Sequence, residues 1–194
     1  MDIKTLATYT DQATDYSTEW LAQPEPLDIY QLIQKHFIAG GTTIDVGCGN
    51  GRDTHWLQQN GFPASGYDAS EALLEIARKN FAGISFHKSL LPALTEIQTT
   101  FANVYCETVI MHLTNDEIVK SVERLKTLVR PDGILYLSWR VTEGEDARDS
   151  KGRLYSAFPR NLVLDRFAPS QVLHFEEKIS ASSGKRVCRL IAKL

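Results

Sequence analysis

A chain of 194 residues with 43% apolar side chains and a formal charge of −3 can fill one core, which excludes a disordered chain and leaves no room for two full domains. The weak negative balance offers no electrostatic grip on nucleic acid or on an anionic membrane surface. Three scattered cysteines, Cys48, Cys106 and Cys188, form no CxxC pair, so neither a zinc site nor a disulfide framework is expected and a reducing cytosol fits best.

The start, MDIKTLATYTDQATDY, is too polar for a signal peptide, and no apolar run is long enough to span a bilayer. Residues 1–25 are polar with interspersed aromatics and read as a short helix or an ordered arm that ends near Pro24 and Pro26. Beyond them Tyr30, Ile33 and Phe37 recur at helical spacing, and Gly40-Gly41 ends that helix. TTIDVG is a strand, GRDTHWLQQNG a short helix stopped at Asn60-Gly61, and FPASGYD a second strand. In DASEALLEIARKN, Asp68 and Glu71 suggest a capping box ahead of an apolar face of Leu73, Ile76 and Ala77.

GISFHK and FANVYCETVIM are further strands, the second a buried one. Thr114 and Glu117 make a capping box for a helix whose Ile118, Val122, Leu125 and Leu128 share one side. Pro131-Asp132-Gly133 reads as a turn before the strand GILYLSW. Residues 141–170 form a long polar loop, and QVLHFEEKISA and KRVCRLIAKL flank Ser182-Ser183-Gly184 as a hairpin. Strands alternating with helices imply a mainly parallel α/β sheet covered on both faces, with ligands at the carboxyl ends of the strands.

The loop DVGCGNG places Gly47, Gly49 and Gly51 as GxGxG after a strand. Arg52 stands where the third glycine of a dinucleotide fingerprint would be, and Asp45 precedes the loop where a pyrophosphate would be repelled. A carboxylate beside a glycine cradle suits a cationic ligand without phosphate, and S-adenosylmethionine meets each demand. Asp68, at the end of the second strand, can accept the hydroxyls of a ribose.

DVGCGNGRD, GYDAS, VYCETVIMHL and LVRPDGILYLS resemble the successive motifs of class I S-adenosylmethionine-dependent methyltransferases, particularly the small type similar to the ubiquinone and menaquinone biosynthesis methyltransferases. That resemblance covers about residues 30–140. It implies a Rossmann-like seven-stranded sheet with a C-terminal antiparallel hairpin, the last strand inserted between the fifth and sixth. It also implies one methyltransferase domain over 1–194, with a lid or arm at 1–25, a cofactor-binding core at 26–140, a substrate loop at 141–170 and the hairpin at 171–194. Asp45, Gly47, Gly49, Gly51, Asp68 and Ala69 match cofactor positions. Where the family commonly has an acid for the adenine amine, this chain has HKSLLP, so Lys88 or Ser89 stands in its place, and the Ser89 hydroxyl or a main-chain group is the expected substitute. Glu107 opens the segment that lies along the cofactor.

Methyl transfer is an in-line displacement that depends on alignment and dryness, so it obliges few residue types. A (D/N/S)PP(Y/F) motif, used on exocyclic amines, does not follow the fourth strand, and Cys106 reads as a buried strand residue and not as a nucleophile. A small-molecule acceptor is therefore expected, with the oligomeric state open. His112 is the candidate general base, set against packing on the cofactor or a helix cap. Tyr9 and Tyr16 are candidate lid residues, and Arg140, Arg153 and Tyr155 can bind an acidic or phenolic acceptor, or belong to a solvated loop balanced by acids. No metal is expected from the dispersed histidines. Two alternatives stay open: a module that binds S-adenosylmethionine or its homocysteine product without transfer, and an NAD-dependent oxidoreductase.

Overall fold

The computed structural model describes residues 1–181 and 183–194; Ser182, in the turn expected at Ser182-Ser183-Gly184, lies outside the described residues. The chain opens with α1 (Ile3–Asp11) and α2 (Ala13–Ala22), then α3 (Leu27–His36). The alternation follows: β1 (Thr43–Val46), α4 (Arg52–Gln59), β2 (Ala64–Asp68), α5 (Glu71–Asn80), β3 (Phe86–Lys88), β4 (Phe101–Cys106), α6 (Asn115–Thr127) and β5 (Val129–Arg140). A short ribbon, β6 (Ala147–Arg148) and β7 (Leu154–Tyr155), and a single helical turn, α7 (Asn161–Leu164), precede the hairpin β8 (Val172–Ile179) and β9 (Arg186–Lys193).

Seven strands lie in the order β3-β2-β1-β4-β5-β9-β8. The first five are parallel, and β9 runs antiparallel between β5 and β8. This is the Rossmann-like arrangement that the resemblance implied. Alternation along the central strands divides the core. Val104, Cys106, Leu135 and Leu137 face α6 and α7. Tyr105, Ile134, Tyr136 and Ile191 face α3 and α4. With both faces covered, these strands read in sequence as continuous apolar runs.

Two local expectations are corrected. Pro131-Asp132-Gly133 does not separate a helix from a strand; Asp132 takes φ +63° inside β5, and the β4–β5 register shifts there. The cap of α5 is Ser70, whose hydroxyl accepts the Leu73 amide, because both oxygens of Asp68 are engaged elsewhere. The Thr114–Glu117 capping box on α6 is present as expected.

Asn103 sets where β1 begins. Fully buried on β4, it accepts the Ile38 amide at 2.9 Å and donates to the Ile38 carbonyl at 3.0 Å and the Thr43 hydroxyl at 3.1 Å. The α3–β1 connection is thereby clamped to the sheet, and the loop after β1 inherits its position. Replacing Asn103 by alanine leaves the Ile38 amide without its partner, while the Ile38 carbonyl keeps the Gly41 amide; urea unfolding should show a loss of about 1–3 kcal/mol.

Candidate active site

The loop after β1 is bent by glycines. Gly47, Gly49 and Gly51 have φ of +80°, +55° and +82°, a region that disfavours side-chain-bearing residues. The loop is pinned over the end of β2. The Gly47 and Cys48 amides both donate to the Tyr67 carbonyl, at 2.7 and 3.1 Å, and the Gly49 amide donates to Asp68 Oδ2 at 2.9 Å. A Cβ on Gly47 would stand 2.2 Å from Val109 Cγ2, so the segment after β4 lies directly against the loop. Gly51 serves differently from the cofactor contact expected of it. It does not line the cavity; a Cβ there would meet the Phe86 ring at 2.7 Å and Ala77 at 3.1 Å. It provides the close approach of the loop to β3 and α5.

Asp45, Asp68 and Glu107 converge on one cavity with Asp53. Asp45 is 2% exposed and accepts the Thr54 hydroxyl at 2.6 Å; burial pushes its pKa well above the usual carboxylate range. Asp68 is also raised by burial, opposed by the backbone amides of Ser70 and Gly49 that it accepts. Two such bonds occupy only part of a carboxylate's acceptor capacity. Glu107 accepts the hydroxyls of Tyr136, at 2.6 Å, and of Ser138, and burial raises its pKa too. Asp53 holds Arg52 Nε at 2.9 Å and the hydroxyls of Tyr30 and Tyr105 at 3.0 and 3.1 Å.

The N-terminal helices border the cavity where a lid was expected, and they are held in two places. From α1, Asp2 pairs with Arg148 at 2.7 Å, Thr5 Oγ1 accepts the Leu154 amide at 2.8 Å, and Thr8 donates to the Lys151 carbonyl at 3.0 Å. The helix thus stands on the β6–β7 ribbon. From the glycine loop, Asn50 donates to Ser17 Oγ at 3.1 Å and Arg52 to the Trp20 carbonyl at 3.1 Å, which anchors α2. The Trp20 ring comes to rest on the loop, 2.9 Å from where a Cβ of Gly49 would be.

His112, Tyr9 and Arg153 form a chain under this lid. The Leu154 carbonyl can only accept, so His112 Nδ1 carries the hydrogen of their 2.5 Å bond. His112 Nε2 then accepts from the Tyr9 hydroxyl at 3.0 Å, and that hydroxyl accepts from Arg153 at 3.1 Å. Burial lowers the His112 pKa to about 4. The expected general base therefore has its lone pair committed to Tyr9 and its proton affinity reduced. Tyr16 is corrected as well. It is 2% exposed, does not line the cavity, and stacks under Trp20 with ring centroids 5.5 Å apart. The lid aromatics that reach the cavity are Tyr9 and Trp20. Trp20 follows Tyr16 by one helical turn, a spacing through which the sequence could have shown it.

Ser89 and Ala69 line the side of the cavity nearest β2 and β3. Ser89 donates its hydroxyl hydrogen to Glu96 at 2.8 Å. At the opposite side, Arg140, Arg153 and Tyr155 all line the cavity, whose volume is about 580 Å³, ample for a small ligand pair.

Residues 44–133 match the family described as a methyltransferase domain. A relative, the ubiquinone biosynthesis O-methyltransferase of Actinobacillus pleuropneumoniae serotype 5b (strain L20), is 26% identical over 144 residues, covering 70% of this chain and 60% of the relative. Over this segment the chain is similar to S-adenosylmethionine-dependent methyltransferases. The chain spans about 60% of the length of the curated relatives it matches. Among solved structures, a methyltransferase from Anabaena variabilis superposes with a TM-score of 0.74 at 21% identity, covering 99% of this chain and 96% of the other. The 1,6-didemethyltoxoflavin-N1-methyltransferase of Burkholderia thailandensis gives 0.73 at 16% identity, covering 98% and 87%. At these identities the superpositions bear on the fold of this chain.

The histidine at the lid yields a pH prediction. Unfolded histidine titrates near the ordinary 6.5, while folded His112 resists protonation down to about 4. Its neutral form therefore contributes stability that is full above pH 6.5 and drains away as pH falls through that window. Between pH 7 and pH 4, urea unfolding of the parent should lose about 3 kcal/mol more than that of His112→Gln. Parallel curves for the two proteins would mean that His112 titrates freely.

Proposed function

We propose that this chain transfers the methyl group of S-adenosylmethionine to a small-molecule acceptor, working as one methyltransferase unit in the cytosol. The observation that carries this reading is the pairing of a glycine cradle with Asp45 and Asp68 at the ends of adjacent strands. Gly47 and Gly49 present backbone at close range, Asp45 answers an ammonium group, and the remaining lone pairs of Asp68 take ribose hydroxyls. Ala69, Ser89 and Leu73 form the wall on the adenine side. When bound there, S-adenosylmethionine supplies a methyl group activated on a sulfonium.

The chain's own contribution is to bind, align and exclude water. Trp20 covers the glycine loop with Tyr9 beside it, and the α1–ribbon contacts hold that cover in place. Glu107 presents a carboxylate that Tyr136 and Ser138 orient. A pyrophosphate in the same cavity would face Asp45, Asp53, Asp68 and Glu107, with Arg52 already committed to Asp53, which disfavours NAD. Cys48, Cys106 and Cys188 are free and buried, in keeping with a reducing compartment. Among the described residues, no helix is long and apolar enough to cross a membrane.

Two measurements test the reading. Adenosine should bind the parent roughly 10-fold or more tighter than 2′-deoxyadenosine, since a hydrogen bond to a charged acceptor is worth about 1.5–3 kcal/mol, and Asp68→Ala should erase most of that contrast. Calorimetry that shows the same contrast in the folded variant would remove Asp68 from the ribose site. Separately, S-adenosylhomocysteine should produce a saturable change in tryptophan fluorescence that Trp20→Phe removes. A chain that binds the homocysteine product yet turns over no member of a metabolite library would instead be a binding module.

A further inference from the structure

Among the described residues four basic side chains line the cavity, and they are not equivalent. Arg52 is paired with Asp53 and Arg153 with Asp149, at 2.9 and 2.7 Å. Arg153 is further committed to the Tyr9 hydroxyl. Arg140 differs: among the described residues its guanidinium has neither a hydrogen-bond acceptor nor a carboxylate partner, and it lies over the Tyr155 ring at 4.6 Å from the centroid. Its backbone is fixed at the end of β5 by pairing with Val187 of β9. Lys185, also without an ion pair, stands exposed at the same side of the cavity. A guanidinium held over an aromatic face, half-buried and unpaired, is a fork prepared for a planar anion.

The charges of the cavity are thus segregated. Asp45 and Asp68 stand at the ends of β1 and β2, and the unpaired cations stand at the β5–β9 side. Resting on the methyltransferase reading above, we propose that the methyl acceptor is a small organic carboxylate whose carboxylate is bound by Arg140. The strand order places β5 two strand spacings from β1, about 10 Å at the usual separation. That distance leaves room for a spacer of about one ring between the carboxylate and the cofactor loop. Pro26, Ile29, Val187 and the Tyr155 face give that spacer apolar walls. A single negative charge is favoured over a phosphate dianion, because Glu107 lines the same cavity and would oppose the second charge.

The test uses the full chain, with and without saturating S-adenosylhomocysteine, and titrates benzoate and phenylacetate against benzamide and phenylacetamide, with phenyl phosphate as a further arm. At least one carboxylate should bind tenfold or more tightly than its amide. Arg140→Gln should abolish that preference while leaving the amides and S-adenosylhomocysteine unchanged, and Arg140→Lys should recover part of it. Should the glutamine variant not fold, the lysine variant decides alone, with at least a threefold loss of carboxylate affinity expected. Equal binding of acid and amide by the parent, no binding of either, a preference that survives in the variants, or phenyl phosphate ahead of both carboxylates would overturn the proposal. Failure of the cofactor reading would show separately, as no binding of S-adenosylhomocysteine to the parent.

Discussion

Two backbone amides from different loops end on one carboxylate. Asp68 accepts Gly49 from the loop after β1 and Ser70 from the loop after β2. The two strands are parallel neighbours, so their carboxyl ends open side by side and their loops compete for the same space. The carboxylate resolves that competition by holding both. The glycine loop is thereby fixed, Asn50 and Arg52 reach back to α2, and α2 sets Trp20 on Gly49. A ribose placed at Asp68 would meet a group already oriented by its structural duty, which spares the ordering cost a free side chain would bear.

The acids around the cavity are held against a desolvation cost. Burial raises Asp45, Asp68 and Glu107 alike, and each is answered directly by hydroxyl or amide donors, with the Arg189 guanidinium acting on Glu107 without a direct bond. Such a site gains most from a ligand that brings positive charge, since the ligand supplies what the protein has withheld. The cations are withheld on the opposite side, where Arg140 stacks on Tyr155. The cavity therefore has a direction, acidic under the glycine loop and basic toward β9.

The cover is built from different material than the core. Its contacts to the ribbon are an exposed Asp2–Arg148 pair and hydrogen bonds through Thr5, Thr8 and Tyr9, the one to Thr5 buried. The sheet beneath is closed by fully buried Leu135, Leu137, Tyr136 and Ile191. An exposed ion pair is worth little and a hydrogen bond about 0.5–1.5 kcal/mol, whereas the buried apolar side chains contribute about 1.5–3 kcal/mol apiece. The cover can open at a fraction of the cost of disturbing the sheet.

The order of elements, the buried character of β4 and β5, the closing hairpin and the acids Asp45 and Asp68 were legible in the chain, because each is written in neighbouring residues as periodicity, capping or loop chemistry. The family motifs supplied the strand order, which periodicity alone does not carry. The rest depended on residues far apart in sequence. Ribbon strands of two residues are too short to show alternation. Gly51 looked like one more cradle glycine until Phe86 and Ala77 were brought against it. Tyr9 and His112, separated by 103 positions, meet only in the fold, and that meeting takes the lone pair that a base would need. Arg140 and Arg153 were equals in the sequence; the folded chain gave one a carboxylate and left the other facing the cavity. Local pattern determined which segments become strands and loops, since backbone geometry is a short-range matter. Which side chains are spoken for and which remain available was decided by tertiary contact, since burial and pairing are set by whatever the fold carries alongside.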